Sequence, residues 1–226
     1  MPHEAPAGNG LAVFDLDGTI TRHDTLMPFV LACVLRRPWR LPRLLLIPPL
    51  ALAFLFHRDR GRFKGALLRA TIGGLPRAWL TARAGDFVPR LLERGLFAEA
   101  LSAIEHHRAQ GDRLVLMSAS VDLYVPQIGQ ALGFGETICT QVRWNENGRL
   151  DGRLATANCR GEEKRRCLQA LIARQGPSRV YAYGNSGSDL PHMRLAQQAF
   201  LINGPSRRIG SSATIQSLRW THSGNP

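Results

Sequence analysis

Lysine is scarce in this chain of 226 residues: only Lys64 and Lys164 are lysines, and the other 27 of the 29 basic residues are arginines. Acidic residues are also few, 17 in all, so the formal net charge is +12. This charge favours an anionic partner such as a phosphate ester, a nucleic acid or an acidic membrane, although a genome rich in arginine codons gives the same bias. Aromatic residues make up only 7% of the chain and the arginines are scattered rather than aligned with them, which argues against nucleic-acid binding.

Cysteine pairs and targeting signals are also missing. The four cysteines, Cys33, Cys139, Cys159 and Cys167, form no C-x-x-C pair and no zinc-type spacing with histidine. They are typical of free thiols in a reducing compartment. The first ten residues contain no basic region followed by an apolar stretch, as a secretory signal would. We therefore expect a cytoplasmic protein.

Short apolar runs alternate with helical patterns along most of the chain. The runs at residues 11–14, 113–117, 179–183 and 199–202 are each followed by a polar residue or glycine, as buried parallel strands are. Residues 97–110 and 162–174 have helical patterns. This alternation predicts an α/β fold with a parallel sheet covered on both faces, whose ligands bind at the carboxyl ends of the strands. Residues 205–226 are weakly patterned, and we expect an irregular segment there.

Residues 26–94 break this alternation, because they have helical patterns punctuated by prolines and glycines. We therefore predict a core domain of residues 1–25 and 95–226, with a helical cap domain of residues 26–94 inserted after the first strand. Residues 44–56 of the cap are thirteen apolar residues that include Pro48 and Pro49, with arginines on both sides. A helix of that length is roughly 20 Å long, too short to span a bilayer core of ~30 Å. It suits either a monotopic or re-entrant element on an anionic membrane or a helix buried against the core or a second subunit.

Two carboxylates follow the first predicted strand, in Asp15-Leu16-Asp17-Gly18-Thr19. Gly18 permits an immediate turn, so that Asp15 can face a phosphate while Asp17 lies one step further along. Two close carboxylates repel each other, and a cation between them relieves the repulsion. Because hard oxygen ligands suit Mg²⁺, we expect a magnesium site here.

This segment resembles the first motif, D-x-D-G-T, of the haloacid dehalogenase superfamily. Ser118 matches the second motif, Lys164 the third, and residues 183–189 the fourth, acidic motif, in the family's order. The helical insertion between the first two motifs is similar to that of the phosphoserine-phosphatase-like branch. The resemblance implies a Rossmann-like core with a parallel sheet, a helical cap, and a Mg²⁺-dependent phosphatase activity.

The resemblance also implies a role for each matching residue. Asp15 would be the nucleophile that forms an aspartyl-phosphate, and Asp17 the general acid and then the general base. Ser118 and Lys164 would complete the catalytic set by binding the phosphoryl group. Substrate contacts are expected from Asp15, Gly18, Thr19, Asp24, Ser118, Ala119 and Lys164. Mg²⁺ would be bound by Asp15, Asp17, Asn185 and Asp189.

Asn185 departs from the family pattern, which usually has aspartate at this position. An amide oxygen can still bind Mg²⁺ but brings no negative charge, so the metal would be held less tightly or with more help from Asp189. A pseudoenzyme that binds phosphate without catalysis therefore stays an alternative, and a phosphotransferase would share Asp15.

The apolar cap segment resembles that of the phosphatidylglycerophosphate phosphatases of this branch. That resemblance implies a phospholipid phosphate as substrate and a peripheral contact with the inner face of an anionic membrane. The alternative substrate is a small soluble phosphomonoester of the phosphoserine or histidinol phosphate type. Asp24 falls where phosphoserine phosphatases have a glutamate that binds the substrate's amino group, but lipid-type relatives also have an acidic residue there.

Overall fold

A computed structural model describes residues 9–205 and 214–221 of the chain. The strands are β1 (Gly10–Phe14), β2 (Arg113–Val121), β3 (Glu136–Thr140), β4 (Val142–Trp144), β5 (Leu150–Leu154), β6 (Arg179–Gly184), β7 (Gln198–Ile202) and β8 (Ile215–Leu218). Six of them form a parallel sheet in the order β3-β2-β1-β6-β7-β8. The other two, β4 and β5, form a separate antiparallel pair.

Helices cover the sheet and fill the interval between β1 and β2. They are α1 (Leu26–Leu35), α2 (Ile47–His57), α3 (Arg60–Thr71), α4 (Arg77–Arg94), α5 (Ala98–Ala109), α6 (Val125–Ala131), α7 (Glu162–Gln175) and α8 (Leu190–Met193). A 3₁₀ helix, Pro38–Leu46, connects α1 to α2. The predicted α/β class is confirmed, and each predicted strand and helix lies within two residues of an observed one, except that β2 runs four residues beyond its predicted end.

The sheet has an apolar layer on each face. One layer includes Phe14 of β1 together with Phe29 of α1 and Leu67 of α3, and the other includes Leu11 and Val13 of β1. All five residues of β1 are buried, which explains why this strand is continuously apolar instead of alternating. The division into a core and a cap of residues 26–94 stays a prediction, and α1 to α4 occupy that interval.

The expectation of an irregular segment at residues 205–226 is wrong for β8, which pairs in parallel with β7 at the edge of the sheet. This strand is short, and its central residues Gln216 and Ser217 are exposed. An edge strand needs little apolar surface, so its sequence carries a weak strand signal. Residues 206–213 and 222–226 lie outside the described part of the chain.

The apolar segment of residues 44–56 is not buried within this chain. Leu45 is 77% exposed and Phe56 is 79% exposed, and none of the window Pro38–Phe56 is buried. Pro48 and Pro49 lie in the first turn of α2. Backbone N–H groups in a first turn have no acceptor within the helix, so proline removes no helical hydrogen bond there. The 3₁₀ helix precedes α2 directly, so the continuous helical stretch is longer than the apolar run of residues 44–56. Our expectation that this helix is too short to span a bilayer is therefore wrong. By length and composition alone, Pro38–Phe56 is long and apolar enough to cross a membrane.

Candidate active site

The first motif forms a tight turn at the carboxyl end of β1. The N–H of Asp15 still belongs to the sheet, because it donates to the carbonyl of Tyr183 on β6 at 2.9 Å. Beyond it, three successive N–H groups donate to the carbonyl of Leu16. Gly18 has a φ of +76°, and a Cβ at this position would lie 1.9 Å from Asn185 Nδ2. The turn after β1 therefore touches the loop after β6, and only glycine permits this contact.

A buried ammonium joins two carboxylates below this turn. Lys164 Nζ, in the first turn of α7, donates to Asp15 Oδ1 at 2.6 Å and to Asp189 Oδ1 at 2.7 Å. Only 2% of Lys164 is exposed. The two carboxylates and one ammonium carry a net charge of −1 when all are ionised. The sequence placed these three residues at strand ends and a helix start, and the structure brings them together.

The three charges shift one another's pKa values. Burial raises the pKa of Asp15 to about 7, and the opposing charge of Lys164 offsets only part of that rise. Burial opposes ionisation of Lys164 as well, but the two carboxylates outweigh it and hold the pKa of the ammonium above its ordinary value. Burial also favours the neutral form of Asp189, but the charge of Lys164 and several hydrogen bonds outweigh it and hold the pKa of this carboxyl group below its ordinary value.

Asp17 is held by hydrogen bonds on both carboxylate oxygens. Oδ1 accepts from the backbone N–H and the hydroxyl of Thr25 at 2.8 and 2.6 Å, and Oδ2 accepts from Ser120 Oγ at 2.5 Å. Burial, followed by the neighbouring charge of Asp24, raises the pKa of Asp17. A raised pKa favours the protonated form of the carboxyl group, which is the form that a general acid needs.

Thr19, Ser118 and Asp24, which were also predicted to contact substrate, each form a hydrogen bond within this chain. Thr19 is buried behind Asp15, and its hydroxyl donates to Asp15 Oδ2 at 3.1 Å. Ser118 is also fully buried, and its Oγ accepts the N–H of Ser120 at 3.0 Å. Asp24 Oδ1 accepts the N–H of Leu26 at 3.0 Å, which satisfies a free donor at the start of α1. The expected substrate contacts of these residues stay predictions.

A cavity of about 730 Å³ opens above the buried ammonium. Most of the predicted site residues line it: Asp15, Asp17, Gly18, Asp24, Ala119, Lys164, Asn185 and Asp189. Thr19 and Ser118 lie beneath its surface instead. A larger cavity of about 960 Å³ is lined by none of the motif residues, so size alone does not identify the site.

The residues present fit a hard cation that keeps several waters. Both oxygens of Asp189 are already engaged, Oδ1 by Lys164 and Oδ2 by the N–H groups of Asn185 and Ser186 and the hydroxyl of Ser186. Within residues 9–205 and 214–221, no three His, Cys, Asp or Glu side chains form a metal cluster by themselves. Each oxygen of Asp15 likewise accepts one hydrogen bond, from Lys164 or Thr19, and a carboxylate oxygen keeps a second lone pair. Asp15, the amide oxygen of Asn185 and the carbonyl of Asp17 therefore suit Mg²⁺, which is commonly bound by one or two carboxylates plus water, and ligation by Asp189 stays a prediction.

Sequence reasoning missed several residues that line the cavity: Arg60, Lys64, Ser120, Asn158 and Arg160. Lys64 was the one with a usable signal, because it is one of only two lysines in an arginine-rich chain. The others have no motif that sets them apart from surface residues of the same type.

Known proteins share this architecture. Residues 12–194 match the family model described as haloacid dehalogenase-like hydrolase. The chain is 31% identical to protein CicA of Caulobacter vibrioides over 195 residues, which cover 83% of each chain. It is 29% identical to a probable phosphatase of Mycobacterium tuberculosis over 228 residues, covering 94% of this chain and 75% of the relative. Its fold is similar to the solved structure of a phospho-aspartyl intermediate analogue of phosphoserine phosphatase, with a TM-score of 0.64, 13% identity and 91% of each chain covered. The family model spans most of the chain and both the fold and the motif geometry agree with it, so the chain belongs to the haloacid dehalogenase-like hydrolase family.

Proposed function

We propose that this haloacid dehalogenase-family phosphatase is a Mg²⁺-dependent phosphomonoesterase that acts through an aspartyl-phosphate on the phosphate of a phospholipid headgroup, such as phosphatidylglycerophosphate. The observation that carries the catalytic part is the Asp15–Lys164 contact of 2.6 Å at the floor of a cavity. It presents a carboxylate whose negative charge is partly neutralised, which lowers the repulsion against an incoming phosphate dianion.

The geometry supports a two-step transfer. An oxygen of Asp15 attacks phosphorus, the bond from phosphorus to the ester oxygen breaks, and Asp17 gives its proton to the leaving alcohol. Water then attacks the phosphorus of the aspartyl-phosphate and gives a proton to Asp17, which releases phosphate and restores Asp15. Throughout, Lys164 neutralises charge beside the transferred group. Mg²⁺, held by Asp15, Asn185 and the carbonyl of Asp17, would supply further positive charge to the phosphoryl oxygens.

The lipid part of the proposal rests on the position of α2. Phe54 of this helix lines the catalytic cavity, and its ring lies 5.2 Å from that of Phe63 on α3. Leu52, Leu55 and Phe56 of the same helix are exposed, and arginines lie on both sides of it. An apolar face with basic flanks complements an anionic leaflet. We therefore propose that residues 38–56 contact the inner face of the membrane peripherally and that the cavity opens beside lipid headgroups on the cytoplasmic side.

A small soluble phosphomonoester is the second candidate substrate. Asp24 lines the cavity, and a carboxylate there could bind an amino group like that of phosphoserine. The similarity in fold to phosphoserine phosphatase is compatible with this substrate.

Hydrolysis of an aryl phosphate tests the catalytic part. We expect activity with Mg²⁺, none with excess EDTA, and none in Asp15→Asn, which keeps the shape of the side chain but not its nucleophilicity. Acid-stable trapping of ³²P on the parent but not on the variant would identify the intermediate. Undiminished hydrolysis by Asp15→Asn would remove this residue from its role, and a parent that binds phosphate without turnover would indicate the pseudoenzyme.

Vesicle co-sedimentation tests the membrane part. We expect the parent to sediment with anionic vesicles, less so as salt screens the arginines over a Debye length of ~10 Å at 0.1 M. The double variant Leu45→Glu with Phe56→Glu should lose this binding and keep aryl phosphatase activity. Leu101→Glu is the matched control, because it adds a charge at a 41% exposed leucine on α5. A parent that stays in the supernatant, or a double variant that sediments like the control, would refute the membrane contact.

A further inference from the structure

Lys64 is a nearly buried cation that the reaction described above does not use. It lies on α3 and is only 9% exposed, and it lines the same cavity as Asp15. Its ammonium donates to the backbone carbonyl of Ala119 and to Asn158 Oδ1, the latter at 2.8 Å. Because Ala119 directly follows Ser118 of the second motif, Lys64 stands beside the expected phosphoryl site.

Close packing of α3 against β5 places Lys64 there. A Cβ on Gly65 would lie 3.1 Å from the carbonyl of Gly152, and a Cβ on Gly152 would lie 2.4 Å from Arg69 Cβ. The two backbones can approach this closely only because both positions are glycine. The start of α3 is fixed as well, since Asp59 accepts the N–H groups of Gly61 and Arg62. The ammonium is therefore held at a defined position rather than on a mobile side chain.

Both hydrogen-bond acceptors of Lys64 are neutral and are fixed by a third residue. The hydroxyl of Thr140 donates to the carbonyl of Ala119 at 2.7 Å and lies 3.2 Å from Asn158 Oδ1. An ammonium has three donors, so two neutral acceptors leave one donor and the whole charge without a direct partner among the described residues. No described carboxylate forms an ion pair with Lys64. Burial lowers the pKa of Lys64 to about 8, against the opposing effect of Asp17 and Asp24.

Three arginines line the cavity with Lys64: Arg22, whose Nε–H donates to the carbonyl of Leu96, and Arg160 and Arg60. Arg160 is half-buried, and burial, followed by the charge of Arg60, lowers the pKa of its guanidinium group. Arg60 lies over the ring of Phe54 at 5.8 Å. In the described ranges neither Arg160 nor Arg60 forms an ion pair. The carboxylates of Asp17 and Asp24 act on Lys64, and those of Asp189 and Asp15 on Arg160, only from beyond ion-pair distance, so none of the three cations has a directly paired counter-ion among the described residues.

Lys64 is nearly buried and Arg160 half-buried, whereas Arg60 is exposed. A buried cation is costly unless an anion joins it. We propose that Lys64, together with Arg60 and Arg160, binds a second anionic group of the substrate, carried on the alcohol that leaves. This inference rests on the proposed function. It narrows the substrate class to phosphomonoesters that carry a further phosphate, phosphodiester or carboxylate a few bonds from the transferred phosphate. Both the phosphodiester of a lipid headgroup and the carboxylate of a soluble amino acid have this chemistry.

Steady-state kinetics with matched substrates test the proposal. 1,3-Propanediol bisphosphate and phosphoserine carry a second anionic group, whereas 1,3-propanediol monophosphate and an aryl phosphate do not. We expect Lys64→Met to lower kcat/KM for the doubly anionic substrates about 10- to 100-fold, the worth of a charge-assisted hydrogen bond, and to change the singly anionic ones less than threefold. Lys64→Arg should retain most of the preference. Arg69→Met, which removes an exposed positive charge from the same helix, is the control. If only turnover of the bisphosphate depends on Lys64, the second anionic group is a phosphate. If only turnover of phosphoserine depends on it, that group is a carboxylate.

Calorimetric binding separates failure of this inference from failure of the proposed function. In an Asp15→Asn background, which cannot turn over, the bisphosphate should bind at least tenfold more tightly than the monophosphate, and Lys64→Met should remove the difference. This result would support the second-anion site even if no substrate is hydrolysed. Equal binding of the two probes, or an equal loss for all substrates in Lys64→Met, would overturn it, because Lys64 would then serve the transferred phosphoryl group or the fold alone.

Discussion

Replacing Asp15 by asparagine should make the metal-free protein more stable, even though it removes the proposed nucleophile. The native cluster holds two carboxylates and one ammonium away from water, so one negative charge is left over. With asparagine at this position, Lys164 and Asp189 form a neutral pair. Asparagine also has the shape of a protonated aspartic acid, so the variant reports the cost of ionising Asp15 in its buried position.

The size of the effect follows from the pKa of Asp15, which burial raises from 3.8 to about 7. Between these two pH values the folded protein keeps a proton that the unfolded chain releases, so the stability of the parent falls as pH rises. Each tenfold difference in proton affinity is about 1.4 kcal/mol, which makes the cost about 2 kcal/mol at pH 5 and about 4 kcal/mol at pH 8. For a protein of this size, 4 kcal/mol corresponds to an increase in Tm of roughly 10 °C.

Thermal unfolding in EDTA at pH 5, 6, 7 and 8 measures this difference. We expect the gap in Tm between Asp15→Asn and the parent to widen from pH 5 to pH 8 and then to level off. Asp86→Asn is the matched control, because this carboxylate is 47% exposed and paired with Arg83 at the surface, and it should show no such widening. A variant that is less stable than the parent at pH 8, or a gap that does not depend on pH, would refute the reasoning.

Three further substitutions test individual contacts. Asn185→Asp adds a negative charge to the metal site and should tighten the apparent Mg²⁺ constant about tenfold in an activity titration; an unchanged constant would mean that Asn185 is not a ligand. Ser120→Ala removes a hydrogen bond that lowers the pKa of Asp17. The alkaline limb of the pH–kcat profile with an alkyl phosphate should therefore move to higher pH, and a shift in the other direction would contradict Asp17 as the general acid. Gly18→Ala drives a methyl group into the Asn185 amide, so kcat/KM should fall about 100-fold in a folded protein, whereas near-normal activity would show that this contact is dispensable.

The catalytic cluster could be predicted from the sequence because each of its members follows a strand end or starts a helix. In a parallel sheet the carboxyl ends of the strands meet at one edge, so Asp15, Lys164 and Asp189 converge although they are far apart in the chain. Strands β3 and β8 escaped prediction for the opposite reason. They are edge strands with many half-buried or exposed side chains, and their apolar signal is weak.

Lys64 could not be placed from the sequence, because its position depends on contact between two distant segments. The sequence around Lys64 does not show that Gly65 packs against Gly152, or that Asn158 accepts a hydrogen bond from the lysine ammonium. The apolar residues 44–56 posed a different problem, since a buried helix and a surface-seeking helix have the same composition. Only the three-dimensional arrangement shows that Leu45 and Phe56 face outward from this chain.

The central place of β1 in the sheet has a consequence for biosynthesis. This strand is made first, but its two neighbours are β2 and β6, and the hydrogen bond from Lys164 to Asp15 joins residues 149 positions apart. During synthesis the helices of residues 26–109 can form from local contacts while β1 still has no β6 to pair with, and such long-range pairing is slow. A nascent or truncated chain that ends before β6 therefore exposes one edge of a fully apolar strand, which is a template for aggregation. We expect solubility and a complete catalytic cluster to be acquired together, once β6 and Asp189 have left the ribosome.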